Sequence, residues 1–113
     1  MVVSEGDVLL AKMDPTVGVE IRKTRPVIVV SNDWINKFSQ LVVIVPLTSS
    51  TQKVSPSHII IPPGQAGLTS PSKALTEQIR AIDKPRLLQR LGKLEKEYLS
   101  KLHDALRNTV NII

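Results

Sequence analysis

Polar and apolar residues alternate in short blocks along most of the chain, and the blocks predict strands. Val8–Met13 and Val27–Ser31 read as the first two. Leu41–Leu47 is a third, and its nearly unbroken apolar run implies burial on both faces. His58–Ile61 reads as a fourth strand, closed by Pro62-Pro63-Gly64, whose Pro-Gly pair signals a turn. A fifth strand lies within Lys73–Asp83 with its core at Gln78–Ile82; Lys84-Pro85-Arg86 is a turn, and Leu87–Leu94 a further turn or short strand. The period changes only near the end. Leu99, Leu102, Leu106 and Val110 follow at spacings of three, four and four, the apolar stripe of a helix from about Glu95 to Thr109. Glu95 and Glu97 sit in its first turn, where the helix dipole favours them, and Glu97 precedes Lys101 in the better order for an ion pair.

The pieces between are less regular. Asp33–Phe38 is short and mixed, a loop or a single helical turn, and its Trp34 reads as a cap on the core edge, with base stacking as the alternative. Thr48–Lys53 is a small-polar loop directly after a buried strand. His58 reads as a solvated residue at the start of the fourth strand, and His103 as a surface residue beside the helical stripe. Several short strands, loops and one terminal helix suggest a small, mostly antiparallel barrel.

The loop between the first two strands carries the most chemistry. Asp14-Pro15 opens a turn, Gly18 supplies a position for positive φ, and Pro26 forces Arg25 into an extended conformation at the strand mouth. Glu20, Arg22 and Lys23 precede it. A guanidinium fixed at a strand mouth beneath a basic loop is an anion-binding arrangement.

At 113 residues the chain, 1–113, is expected to form one domain. Apolar residues make up 42% and aromatic residues only 3%, so the core is aliphatic, which favours strands. With no cysteine, thiolate and disulfide chemistry are excluded, and two histidines argue against a histidine-rich metal site. The first residues do not read as a targeting segment and the apolar runs are far too short for a membrane span, so a soluble cytoplasmic protein is expected. The net charge of +5 points to an anionic partner, nucleic acid first and an acidic protein segment second.

Asp14-Pro15-Thr16-x-Gly18-x-Glu20 followed by Thr24-Arg25-Pro26 resembles the signature loop of the MazF/PemK/Kid family of toxin endoribonucleases. Gly6-Asp7-Val8, Ser31-Asn32-Asp33, Pro46-Leu47-Thr48-Ser49 and Gln78-Ile79-Arg80-Ala81-Ile82-Asp83 follow in the family's order, so the likeness spans nearly the whole chain. It implies a mainly β fold with a C-terminal helix, a small SH3-like barrel of the PemK-like/CcdB-like kind, usually a homodimer. It further implies a metal-independent endoribonuclease without cofactor, cutting single-stranded RNA at specific sequences, and a cognate antitoxin whose extended acidic tail would fill the basic groove.

The chemistry expected of such an enzyme assigns roles. RNA is cut without water when its 2′-hydroxyl attacks the neighbouring phosphorus, leaving a 2′,3′-cyclic phosphate and a 5′-hydroxyl. Arg25 suits the stabilisation of charge on the phosphate, with proton donation second. Thr48 matches the family's active-site threonine and would donate to a phosphate oxygen. Glu20 is the candidate base or orienter of the arginine. Arg22, Lys23, Thr24, Ser49, Glu77 and Arg80 are expected RNA contacts. Ile21, Arg22 and Lys23 replace the small residues common in this loop of the family, which bears on the sequence that is cut. Two other readings remain open on the sequence. CcdB-like gyrase poisons share the fold but carry a C-terminal tryptophan, where this chain reads Val110-Asn111-Ile112-Ile113; an inactive RNA-binding relative is the second.

Overall fold

In the computed structural model the described residues are 1–13 and 24–112. Its strands are β1 (Asp7–Lys12), β2 (Thr24–Val29), β3 (Leu41–Thr48), β4 (Ile59–Ile61), β5 (Ser72–Ala74), β6 (Arg80–Asp83) and β7 (Leu87–Lys93); its helices are α1 (Asp33–Phe38) and α2 (Lys96–Val110). The strands pair antiparallel in the order β4-β5-β3-β2-β1-β7, with β6 also on β3.

Side-chain alternation divides these strands between two cores. Val8, Ile28, Val45 and Leu47 point to one side, where α2 covers them with Leu102. Leu9, Ala11, Val27, Val29, Val42 and Ile44 point to the other, where Ile82 of β6 and Leu87 of β7 join them. Since β6 and β7 lie at opposite ends of the ladder β6-β3-β2-β1-β7, their meeting in one core means that the sheet is rolled into a small half-barrel. The expected mainly β barrel with a C-terminal helix is what the chain forms.

β3 is the hinge of the topology. Its first half pairs with β6 through Leu41 to Ile44, its end pairs with β5 through Leu47 and Thr48, and Pro46 falls at the change of partner. A residue without an N–H is tolerated there because no ladder bond is owed on that edge. The third strand is buried on both faces as its sequence implied, Val42 and Ile44 on one side and Val45 and Leu47 on the other.

Several expectations need correction. Asp33–Phe38 is a helix of six residues, capped by Asn32, whose side chain accepts from the Ile35 N–H at 2.9 Å. Trp34 does not cap the core: it is 69% exposed, and its ring lies tilted at 50° to that of the outward Phe38, with centroids 5.2 Å apart. The buried place on α1 goes instead to Asn36, whose amide donates to the Ser31 carbonyl at 2.8 Å and accepts from the Ser31 hydroxyl. That hydroxyl accepts in turn from the Val43 N–H at 3.0 Å. Of the two readings of Leu87–Leu94 the strand is the one formed, over Leu87–Lys93. The expected fifth strand is β6, without Gln78, which closes the turn Thr76–Gln78, and β5 ahead of it is a strand the sequence did not separate. On α2 the expected stripe packs on the core through Leu99, Leu102 and Leu106, joined by the buried Ala105, but Val110 is exposed and Lys101 lies over the Tyr98 ring rather than against Glu97. His103 is half-buried and pairs with Glu5 at 3.1 Å.

Two fastenings hold the parts around the strand ends. The buried Asp7 carboxylate accepts from the Ser4 N–H and from Arg90 of β7, both at 2.8 Å, with Lys93 at 3.8 Å. The tight turn Gln65–Gly67 is stitched to the start of α2, because Gln65 accepts from the Glu95 N–H at 2.8 Å and donates to the Glu95 carboxylate at 3.1 Å. Gly67 crosses β7 so closely that a Cβ there would lie 2.0 Å from the Leu91 carbonyl oxygen.

Candidate active site at the strand ends

The ends of β2 and β3 and the segment leading into β5 enclose a cleft of about 490 Å³, lined by Thr24, Arg25, Pro26, Leu47, Thr48, Ser49, Leu68, Thr69, Ser70 and Ser72. Each wall has a local cause. Pro26 fixes the backbone after Arg25, which is paired with Ala11 of β1 and so held in the ladder. Thr48 closes β3, and its hydroxyl accepts from the Ser50 N–H at 3.2 Å, turning the chain away from the sheet. That bond uses a lone pair, so the hydroxyl proton is left to donate. Leu68–Ser70 follow the Gln65–Gly67 turn that α2 and β7 hold in place.

The register brings Arg25 and Thr48 together. β2 and β3 pair Val27 with Pro46, Ile28 with Val45 and Val29 with Ile44. Two further steps along the same register set Arg25 across from Thr48, and residues opposite each other in an antiparallel pair present their side chains to one face. Leu47 and Ser72 belong to the other face, so the cleft wraps around the strand ends. Among the described residues no carboxylate pairs with Arg25, which leaves its fork of donors to the cleft.

Of the residues singled out in the sequence, Thr24, Arg25, Thr48 and Ser49 meet at this cleft. Glu20, Arg22 and Lys23 lie outside the described residues. Glu77 and Arg80 do not line it. Arg80 opens β6 opposite Ile44, four residues before Thr48 on β3 and so about 13 Å away along the strand. Glu77 is held by His58, ring to carboxylate at 2.6 Å. Partial burial works to raise the Glu77 carboxyl, but its own backbone N–H, the His58 ring and the charge of Lys73 outweigh that and hold it below its ordinary value. His58 is not solvated as expected: its side chain is only 10% exposed and its other ring nitrogen meets Ser55 at 3.3 Å.

The cleft also contains Leu68, Thr69, Ser70 and Ser72, which sequence reasoning passed over. The signal was the small-polar run Thr69-Ser70-Pro71-Ser72, the same composition that marked Thr48–Lys53 as a loop. Hydroxyls, backbone amides and one guanidinium suit a phosphate. Among the described residues no three carboxylates, histidines or cysteines stand where they could hold a metal ion, and no helix is long and apolar enough to cross a membrane.

Residues 4–110 match the family model of PemK-like, MazF-like toxins of type II toxin–antitoxin systems. Endoribonuclease EndoA of Bacillus subtilis (strain 168) is 38% identical over 114 aligned residues, covering 100% of this chain and 98% of that protein. Among solved structures, a MazE–MazF complex from Deinococcus radiodurans superposes with a TM-score of 0.83 at 21% identity, covering 100% of this chain and 99% of that one. An endoribonuclease from a mycobacterial species, solved in complex with its cognate antitoxin, gives 0.80 at 23% identity, covering 98% and 97%. At these identities the two structures bear on the fold.

Proposed function

Since the chain belongs to the PemK-like, MazF-like toxins of type II toxin–antitoxin systems, we propose that it is an endoribonuclease that cuts single-stranded messenger RNA at specific sequences without a metal ion and thereby halts translation. The observation that carries this reading is the common face of Arg25 and Thr48 at one open cleft. The 2′-hydroxyl of the nucleotide before the cut gives up its proton as its oxygen attacks phosphorus, the bond from phosphorus to the 5′-oxygen breaks, and that oxygen takes up a proton. The products are a 2′,3′-cyclic phosphate and a 5′-hydroxyl.

Arg25 supplies the charge. Its guanidinium clamps the non-bridging oxygens where negative charge builds, in a partly enclosed site where such contacts are strongest. The Thr48 hydroxyl donates to one of the same oxygens and keeps the phosphate in line with the attacking hydroxyl. Glu20, on the loop before Arg25, is the candidate base or orienter of the arginine. Arg22 and Lys23, just before Thr24 in the sequence, and Thr24 and Ser49 in the cleft wall contact the RNA, and Glu77 and Arg80, outside the cleft, supply further contacts. Relatives solved with an antitoxin support a cognate antitoxin as partner; its extended acidic tail would occupy the cleft around Arg25. The active form is a homodimer in the cytoplasm.

The test is Arg25→Ala on a long natural RNA. Loss of a donor that acts in the transition state lowers the rate by about two to three orders of magnitude. Near-normal cleavage by a folded Arg25→Ala protein would overturn the assignment.

A further inference from the structure

Lys73 has no role in the site as drawn so far, yet its burial is unusual for a lysine. It sits in the middle strand residue of β5 with only 8% of its surface exposed. Among the described residues its ammonium has one hydrogen-bond partner, the neutral carbonyl of Gln52 at 2.9 Å, and no carboxylate within ion-pair distance. An ammonium has three donors, and a buried cation without a counter-ion is costly. Glu77 feels the charge of Lys73 but is held by His58 and stays beyond ion-pair distance, so the ammonium's donors are left with a neutral carbonyl where an anion would serve better.

The register says where that anion would lie. Thr48 pairs directly with Lys73 between β3 and β5, and the β2–β3 register, carried two steps past Val27–Pro46, sets Arg25 on the other side of Thr48. The three residues form one row over three adjacent strands, with their side chains on one face, and Arg25 and Lys73 are two strand spacings apart, about 10 Å. His58 and Ile60 continue this face beyond Lys73, since Ile60 pairs with Lys73 in β4 and His58 is two residues before it. The covering loop is thin: Ser49, Ser50, Gln52, Lys53 and Val54 are all exposed. Lys53, next to the carbonyl that Lys73 holds, stands at φ 58°, a conformation disfavoured for residues other than glycine.

We propose that the Lys73 ammonium is a second phosphate subsite, taking the RNA phosphate that neighbours the one held by Arg25 and Thr48. This rests on the ribonuclease reading above. In the free chain the Gln52 carbonyl serves as acceptor; with RNA bound, an anionic phosphate oxygen replaces or joins it as the stronger one. The phosphate chain then runs across the strands from β2 to β5. Lys73 stabilises bound RNA and takes no part in bond breaking.

Once the cut site is mapped, short RNA substrates are made with one uncharged methylphosphonate linkage at each position flanking the cut, and KM and kcat are measured for the wild type, Lys73→Met and Lys73→Arg. Lys73→Met keeps the stem and drops the charge. It is expected to raise KM about tenfold, the weight of one charge-assisted contact, with kcat unchanged; Lys73→Arg restores most of the loss. One methylphosphonate position should weaken the wild type by the same factor and leave Lys73→Met indifferent. An unchanged KM, or a loss spread evenly over all positions, would overturn the subsite and leave the ribonuclease standing. If Lys73→Met does not fold, a wild type indifferent to every flanking linkage overturns it equally. A wild type that cuts no RNA would instead overturn the function itself, and this subsite with it.

Discussion

Replacing Gly67 by alanine tests whether the turn Gln65–Gly67 is what sets the wall of the cleft. The added Cβ would meet the Leu91 carbonyl oxygen at 2.0 Å and its carbon at 2.7 Å, both main-chain atoms of β7. Neither can swing aside as a side chain would, so the turn must retreat from β7 by more than about 1 Å to reach ordinary contact distance. Residue 67 also sits at φ 75°, which costs a side-chain-bearing residue about 1 kcal/mol. Retreat then withdraws Leu68, now only 5% exposed, from the core, and partial loss of a leucine's burial is worth about 2 kcal/mol. Together the change should destabilise the protein by about 3 kcal/mol and lower Tm by about 12 °C. Gly64 provides the control. It has φ 90° but open space where a Cβ would go, so Gly64→Ala carries the conformational cost alone, about 1 kcal/mol or about 4 °C. Thermal and urea unfolding of both variants measure the difference. Ribonuclease activity of Gly67→Ala below its Tm should also fall, because Leu68–Ser70 line the cleft. Equal losses in the two variants would refute the close approach as the cause.

Two further outcomes follow from the electrostatics. Asp7→Ala removes a buried carboxylate that accepts from Ser4 and Arg90, and should cost about 2 kcal/mol, read by urea unfolding; a loss within error would show that the β1–β7 fastening contributes nothing. Glu77 is held below its ordinary value of 4.5, so its pair with His58 contributes stability that is present above pH 4.5 and lost as pH falls through the lowered value. The stability difference between wild type and Glu77→Gln should therefore shrink toward zero below pH 4.5, and it should be small throughout, since the carboxylate is half exposed. A difference that grew in acid would contradict the sign.

The parts legible in the sequence are those whose period is unbroken. β1, β2 and β3 announce themselves because their alternating residues feed two separate cores, and α2 does so because a single apolar face packs on one of them. β7 was ambiguous because most of its residues are exposed on a rim of the half-barrel, leaving little alternation to read. β5 was invisible: Ser72-Lys73-Ala74 carries no apolar pattern and is buried only because β3 and β4 flank it. At α1 the usual rule is inverted, with an asparagine inside and a tryptophan outside, since the Ser31 hydroxyl and carbonyl offer Asn36 partners that nothing local reveals. The site was partly legible. Arg25 and Thr48 stood out through the family's motifs and strand-end positions, but their shared face depends on a register between distant strands. Nothing in the sequence singled out Lys73, for the same reason.

The most direct test of the central claim is incubation of the purified protein, in EDTA, with a long natural RNA and its DNA counterpart, followed by mapping of the product ends. Discrete cuts in the RNA alone, each leaving a 2′,3′-cyclic phosphate and a 5′-hydroxyl and abolished by Arg25→Ala, are the predicted result. Intact RNA from folded, antitoxin-free protein on a substrate of varied sequence, or cleavage that also consumes the DNA, would contradict it.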